Sequence, residues 1–333
     1  MMQTDWFQGK VILVTGAAGF IGSHLCDKLL RLGAKVVGAD NLVTGQEANL
    51  EWALAQENFK FVRLDLNDEI ELKKTLGQIQ AQHGRLDGVL HFASPASPPL
   101  YQKYPTQTYL VNTLALHNLL TWLKENQAQV RLLFAGTSEA YGTPLEHPQK
   151  ETYWGNVNPN GVRSCYDEAK RLGETICGVF YRDFGLDTRI VRIFNTYGPR
   201  MNLEDGRILP QFIKEYLAGE KLTVYGDGQQ TRSYCYIDDL CRGILTFLVV
   251  DDLAGETINL GNDGEFTVLQ TARLFNKMVG RAADEIEFQT LPKDDPTRRQ
   301  PDLSKARQLL GYEPEVAFET GLQKMIQSYQ EKI

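Results

Sequence analysis

Residues 10–22, KVILVTGAAGFIG, constrain the fold of this chain more than any other stretch. An apolar run of the kind found in a buried strand passes directly into Gly16, Gly19 and Gly22. SHLCDKLLRLG then carries helical spacing to Gly33. Glycines at such a turn permit a tight bend and a close approach of backbone to a pyrophosphate, and the helix N-terminus behind them favours negative charge. A plain strand-to-helix connection is the lesser alternative for the trio taken alone, and the rest of the chain weighs further against it.

Downstream of Gly33 the alternation repeats. KVVGADN at 35–41, FKFVRLDLN at 59–67, LDGVLHFAS at 86–94 and VRLLFAGTS at 130–138 read as strands, separated by helical patterns that include 68–82 and 106–126. A long helix over 165–185 leads into a strand at 186–195. This order predicts an α/β fold, a Rossmann-like doubly wound parallel sheet with right-handed crossovers. Beyond Pro199 the pattern loosens, with helices near 208–218, 238–250 and 267–279 and short strands near 222–225 and 257–260. The division expected is a mainly dinucleotide-binding domain at 1–198 and a smaller, mainly substrate-binding domain at 199–333, with segments of the second returning to the first.

Composition narrows the function classes. A net charge of −7 disfavours nucleic acid, whose backbone needs a concentrated basic surface, yet leaves room for a small anion held by a few clustered arginines. No apolar run approaches the roughly 18 residues of a membrane span, the longest being pieces such as GILTFLVV at 243–250. The start MMQTDWFQGK has neither the basic opening nor the apolar core of a secretion signal, and a cytoplasmic enzyme is expected. The five cysteines form no CxxC pair and the five histidines show no metal-ligand spacing, so no metal is expected.

Within the predicted sheet, Asp40 ends the second strand about twenty residues beyond the glycine turn. Its carboxylate suits the hydroxyls of an adenosine ribose and repels a 2′-phosphate, which favours NAD over NADP. Asp65, after the third strand, is positioned to approach adenine or to cap a helix. Phe20, Ile21, Asn41, Leu66 and Ala93 are assigned to the same cofactor site.

Tyr166 and Lys170 stand four apart, on one face of a helix. An ammonium beside the phenol favours the tyrosinate, which can take a proton from an alcohol while hydride leaves the same carbon. The spacing by itself also fits an exposed helix face. Thr137, at a strand end, has a hydroxyl suited to orienting the alcohol. Ser138 and Glu139 extend that rim, or serve as a capping residue and a solvated carboxylate.

The chain resembles the extended short-chain dehydrogenase/reductases and, within them, the UDP-glucuronic acid decarboxylases. The resemblance rests on HFASPASPP at 91–99, TSEAYG at 137–142, HPQKETYWGNVNPNGVRSCYDEAKR at 147–171, RIFNTYGPRM at 192–201, DGRILPQFI at 205–213, LTVYGDGQQTRSYCYIDDL at 222–240 and DDPTRRQPD at 294–302. It implies bound NAD, UDP-glucuronic acid as substrate, and a reaction through a 4-keto sugar to UDP-xylose. It makes Thr137, Ser138, Glu139, Tyr166 and Lys170 the catalytic group and Arg299 the arginine of the uronate carboxylate. An arginine run alone would be read as a surface or ion-pair feature. Tyr225 and Arg232 resemble parts of a nucleotide-sugar pocket, with Asn195 and Arg200 beside them. A core tyrosine and a surface arginine are the plain alternatives. Related 4,6-dehydratases usually carry Asp before the Glu, so Ser138 argues against dehydration. A 4-epimerase and a noncatalytic dinucleotide-binding scaffold are the other readings. The resemblance also implies a homodimer through helices at 106–126 and 165–182.

Overall fold

A computed structural model describes residues 4–290 and 298–331. Residues 294–297 of the DDPTRRQPD segment and the first three residues of the chain lie outside the described residues. The strands are β1 (Val11–Thr15), β2 (Lys35–Asp40), β3 (Phe59–Arg63), β4 (Gly88–His91), β5 (Arg131–Thr137), β6 (Asp187–Ile193), β7 (Thr196–Tyr197), β8 (Leu222–Tyr225), β9 (Thr231–Ser233), β10 (Cys235–Tyr236), β11 (Thr257–Leu260), β12 (Glu265–Thr267) and β13 (Ile286–Gln289). The helices are α1 (Phe20–Arg31), α2 (Glu51–Leu54), α3 (Glu69–His83), α4 (Pro98–Lys103), α5 (Pro105–Asn112), α6 (Leu114–Asn126), α7 (Ser164–Phe184), α8 (Ile208–Leu217), α9 (Ile237–Val249), α10 (Val268–Met278), α11 (Ser304–Leu310) and α12 (Phe318–Gln330).

Among the described residues the main sheet has seven strands in the order β11-β6-β5-β4-β1-β2-β3, all paired in parallel. A parallel sheet covered on both faces needs apolar side chains on both sides of each strand, and every residue of β1 is buried. One core packs α1, α9 and the C-terminal helices on one side, and the other packs α3, α6 and α7 on the opposite side. β11 comes from residue 257 onward yet completes the sheet beside β6.

The apolar stretch ending at Val250 is α9, buried against the sheet. Its final carbonyls accept from guanidiniums: Arg189 Nη1 reaches Phe247 O at 2.5 Å and Val250 O at 2.6 Å, and Arg131 Nη1 reaches Val249 O at 2.7 Å. These bonds satisfy acceptors that would otherwise be stranded at a buried helix end.

The helix expected over 106–126 is two helices. Thr113 leaves helical geometry at φ −125° and ψ −79°. Beside it the buried Asn112 donates to Thr108 O and Ser94 Oγ, both at 2.8 Å, while Thr113 Oγ1 donates to Tyr109 O at 2.7 Å. Side-chain bonds of this kind bend helices. The break lets α5 lie against α7, and α7 in turn packs on β5 and β6.

Candidate functional site

A cleft of about 480 Å³ opens at the C-terminal ends of the sheet strands, lined by the glycine turn, the ends of β5 and β6, the start of α7 and the segment 195–232. In an open α/β sheet that edge is where ligands bind. Gly16, with φ +71°, lies so close to β4 that a Cβ would fall 2.6 Å from Phe92 O. At Gly22 a Cβ would fall 2.0 Å from Gly16 O. Gly19 stands at the N-cap of α1 with no side-chain cap bond and no acidic residue in the first turn, so the first-turn N–H groups are left for an anion. This donor set and the glycine cradle fit the pyrophosphate of NAD.

Gly16, Gly19, Phe20, Ile21 and Gly22 all line the cleft, whereas Asp40, Asn41, Asp65, Leu66 and Ala93 do not. Asp40 is buried and accepts from Ala18 N at 3.0 Å and Leu42 N at 2.8 Å, which ties the glycine turn to β2. Burial raises its pKa against the lowering effect of those two bonds. Exposed Asp65 accepts from Asn67 N at 3.0 Å, and the cap of α3 is Asp68. Asn41 accepts from Val43 N at 3.1 Å, Leu66 is buried in the core beside α3, and Ala93 N donates to Thr15 Oγ1 at 3.3 Å.

Thr137, Tyr166 and Lys170 meet at one end of the cleft. Thr137 closes β5 and hydrogen-bonds Tyr166, whose ring stacks on Tyr101 with centroids 5.0 Å apart. Lys170 Nζ donates to Ala135 O at 2.7 Å and lies 5.7 Å from the Tyr166 ring centroid. All three side chains are buried. Burial pushes Tyr166 up to about 12 and brings Lys170 down to about 7. The protein matrix thus disfavours the tyrosinate, and the positive nicotinamide ring of NAD+ is the further charge that favours it.

At the adjoining corner Ser138–Tyr141 form one turn of 3₁₀ helix. Arg299, 2% exposed, donates to Ser138 O, to Gly142 O at 3.2 Å and to Glu139 Oε2 at 3.3 Å. Arg163 forms a second ion pair with Glu139 Oε2 and stands 3.8 Å from Asp167 Oδ2. Burial opposes ionisation of Glu139, but Arg299, Arg163 and Arg232 outweigh it and hold its pKa below the usual carboxylate value. Arg299 reaches this place because its segment is laced to the loop after Glu146. Gln149 N donates to Gln300 O at 2.9 Å, Gln300 N to Gln149 Oε1 at 3.0 Å and Asp302 N to Gln149 O at 2.8 Å. Its neighbour Arg298 is exposed.

Asn195, Arg200, Tyr225 and Arg232 line the far part of the cleft. Arg232 is buried on β9 and donates to Thr231 O at 2.8 Å. Arg200, with φ +68°, pairs with Asp27 of α1 at 2.6 Å, while His24 of the same helix contacts Pro199 O at 3.0 Å. These bonds fasten the segment after β7 onto the cofactor helix. Four residues in or beside the cleft are not singled out from the sequence: Tyr101, Arg163, Asp167 and Arg207, the last paired with Asp205 at 2.7 Å. Arg163, Asp167 and Arg207 sit inside family-like motifs, and only their neighbours in space reveal them. Among the described residues no helix is long and apolar enough to cross a membrane.

The profile of the NAD dependent epimerase/dehydratase family matches residues 12–261. The chain belongs to that family. Within this family it is 44% identical over 324 residues to UDP-glucuronic acid decarboxylase 1 of Xenopus tropicalis, covering 97% of this chain and 73% of that one. Identity to UDP-glucuronic acid decarboxylase 6 of Arabidopsis thaliana is 42% over 331 residues, covering 99% and 92% of the two chains. Among solved structures, the UDP-glucuronic acid 4-epimerase of Bacillus cereus, in complex with UDP-glucuronic acid and NAD, superposes with a TM-score of 0.86 at 30% identity, covering 97% of this chain and 100% of that one. The family member described here is thus UDP-glucuronic acid decarboxylase-like in sequence and shares its whole fold with the epimerase branch.

Proposed function

We propose that this chain converts UDP-glucuronic acid to UDP-xylose and CO2. The observation that carries the reading is the junction of two side-chain groups in one cleft: Thr137, Tyr166 and Lys170, and Arg299 with Glu139 beside them. Decarboxylase relatives at 42–44% identity support it over nearly the full chain.

NAD, when bound, supplies a reversible hydride acceptor for C4 of the sugar. Tyr166 takes the C4 hydroxyl proton while Thr137 orients the oxygen. The resulting 4-ketone is beta to the C6 carboxylate, so the electrons of the C5–C6 bond pass into an enolate as CO2 leaves. Tyr166 and Thr137 then hold hydrogen bonds to the C4 oxygen where the charge collects. Protonation at C5 and return of hydride to C4 give UDP-xylose. Tyr225 packs near the uracil, and Arg232 contacts the diphosphate, with Asn195 and Arg200 along the same wall.

Glu139 gives Arg299 a second task. A guanidinium devoted to the substrate carboxylate would stabilise the charge that the reaction must remove. Arg299 instead shares its donors between Glu139 and two backbone carbonyls, so the uronate is oriented beside a like charge. That repulsion ends when CO2 departs, which lowers the barrier relative to the bound ground state.

Incubation with UDP-glucuronic acid and NAD+, followed by mass analysis of the sugar nucleotide and trapping of CO2, tests the assignment. UDP-xylose with equimolar CO2 is expected. UDP-galacturonic acid without CO2 would make the chain an epimerase, and an unchanged substrate would leave the scaffold reading. We also propose a cytoplasmic enzyme that binds no nucleic acid, with a mainly cofactor-binding domain at 1–198 and a mainly nucleotide-sugar-binding domain at 199–333, segments of which return to the first as β11 does. A homodimer through α5, α6 and α7 is supported by Tyr109, Leu114, Leu172 and Phe184, which are 44–51% exposed. Sedimentation of Leu114→Arg as a monomer is the expected check.

A further inference from the structure

A second, smaller chamber of about 180 Å³ lies behind the TSEAYG turn, and Glu139, Val162, Arg163 and Arg299 are walls of both it and the main cleft. Its outer wall is formed by the 142–161 loop, including exposed Thr143 and Asn158. Asp167 borders this chamber and not the main cleft. The residue is 7% exposed, and its Oδ1 is buried without a hydrogen-bond partner. An orphaned carboxyl oxygen on α7, one residue after Tyr166, is costly unless it binds a proton or a water.

We infer that Asp167, acting through water held in this chamber, supplies the proton that C5 receives after CO2 has left. The inference rests on the decarboxylase reading and identifies a donor for the step which that reading leaves open. Atoms and charges balance. The Asp167 carboxyl releases its proton to a chamber water, a proton of that water bonds to C5, and the enolate electron pair forms the C5–H bond while the C4 oxygen returns to a ketone. The Asp167 carboxylate is then reprotonated from solvent through the 142–161 side.

Two observations choose Asp167 over Glu139, the more prominent carboxylate. Glu139 is held ionised by Arg299 and Arg163 and has no proton to give. Asp167 is pushed up to about 7, first by burial and then by the charge of Glu139, with Arg163 and Arg299 opposing and Glu168 adding to the rise. Tyr101, Cys165 and Tyr166 are the remaining titratable groups that face it. Two carboxyls whose surroundings drive them apart divide into a fixed base and an available acid.

Charge also sets the order of events. Within the group Arg163, Arg299, Glu139 and protonated Asp167, two guanidiniums face one carboxylate. The substrate uronate brings a second negative charge, which keeps the Asp167 proton in place by like-charge repulsion. When decarboxylation moves that charge from the C6 carboxylate to the enolate oxygen at C4 and CO2 leaves neutral, the repulsion beside Asp167 is relieved, and ionisation of Asp167 as the enolate takes its proton returns one negative charge to the cluster. The proton is therefore released after decarboxylation and not before, which protects the carboxylate at C6 from being neutralised early.

Asp167 acts through water, so the test must separate proton supply from packing. In single turnover with UDP-glucuronic acid, Asp167→Asn is expected to form NADH and CO2 within about threefold of the parent rate. It should return hydride at least about tenfold more slowly, with the enolate accumulating on the enzyme and, once released, taking its C5 proton from solution to give UDP-4-ketopentose. The parent rate of UDP-xylose formation should fall as pH rises through about 7, and the variant should lack that limb. Should Asp167→Asn fail to fold, Thr143→Trp, which fills the chamber from its exposed side and leaves Asp167 intact, should give the same pile-up after CO2. Parent-like hydride return and an unchanged pH profile in both variants would overturn the inference. Absence of CO2 from the parent protein would instead overturn the decarboxylase reading, and with it the step assigned to Asp167.

Discussion

Thr137, Tyr166 and Lys170, at one end of the catalytic pocket, come from β5 and α7, two elements packed directly on each other. Glu139, Arg163 and Arg299, at the adjoining corner, and Asp167 in the chamber behind it come from a 3₁₀ turn, both sides of the α7 N-terminus and a segment beyond residue 297. The first group is neutral except for Lys170, and its members bond to each other or to β5 backbone. The second is a cluster of charges in which each arginine touches a carboxylate. One end rests on sheet packing, the other on ion pairs between distant segments. On the proposed reading, the comparison separates redox chemistry that rests on sheet packing from a carboxylate-handling corner that rests on ion pairs.

The largest expected effect breaks the first end alone. Tyr166→Phe removes the proton acceptor at C4 and should lower the rate of NADH formation by about 10²–10⁴-fold. Its unfolding midpoint should fall only slightly, since the stack on Tyr101 is kept and the bond to Thr137 alone is lost, at about 1 kcal/mol; near-parent turnover would refute the role.

Arg299→Ala attacks the second end and should do the converse. It removes bonds to Ser138 O, Gly142 O and Glu139, so stability should drop by about 3 kcal/mol, the lower end for a broken buried pair because Arg163 stays on Glu139. CO2 release should slow more than C4 oxidation. Equal slowing of both steps with unchanged urea stability would show that the two ends are not separable.

The two ends should also carry opposite pH slopes of stability. Asp167 has a folded pKa near 7 against an ordinary value of 3.8, so between those values the folded chain binds more protons and stability falls as pH rises. Lys170 has a folded pKa near 7 against 10.5, so above 7 the unfolded chain binds more protons and stability rises with pH. Urea unfolding at pH 5, 7 and 9 should show the first slope lost in Asp167→Asn and the second lost in Lys170→Met. Parallel profiles for both variants would contradict these shifts.

Ser138→Ala should have the smallest effect, less than about tenfold on kcat, because the contact with Arg299 runs through the Ser138 backbone carbonyl. A larger loss in product analysis would give the hydroxyl a direct part in the reaction.

Strand and helix order was legible because period and punctuation are local. The strand at 222–225 and that at 257–260 have the expected bounds, and α8, α9 and α10 lie within a residue of theirs. The break at Thr113 was not legible, since the side-chain bonds of Asn112 and Thr113 compete with an otherwise unbroken helical pattern. The role of Asp65 divided in an unexpected way: its carboxylate turns onto Asn67 and the cap falls to Asp68, three residues on. Asp-Leu-Asn-Asp offers two suitable carboxylates, and only the start of α3 decides between them.

Sequence by itself determined the glycine turn, the parallel sheet and the shared helix face of Tyr166 and Lys170, because each depends on residues within a few turns of one another. Resemblance picked Arg299 from the Arg298–Arg299 pair, but tertiary structure alone decided how it reaches the site, that Glu139 is held between two guanidiniums, and that Asp167 turns away from the cleft into its own chamber. Arg299 and Glu139 are 160 residues apart, and their meeting depends on hydrogen bonds between the Gln149 and Gln300 segments. No local spacing encodes that lacing, since its energy exists only once both segments have been brought together by the fold.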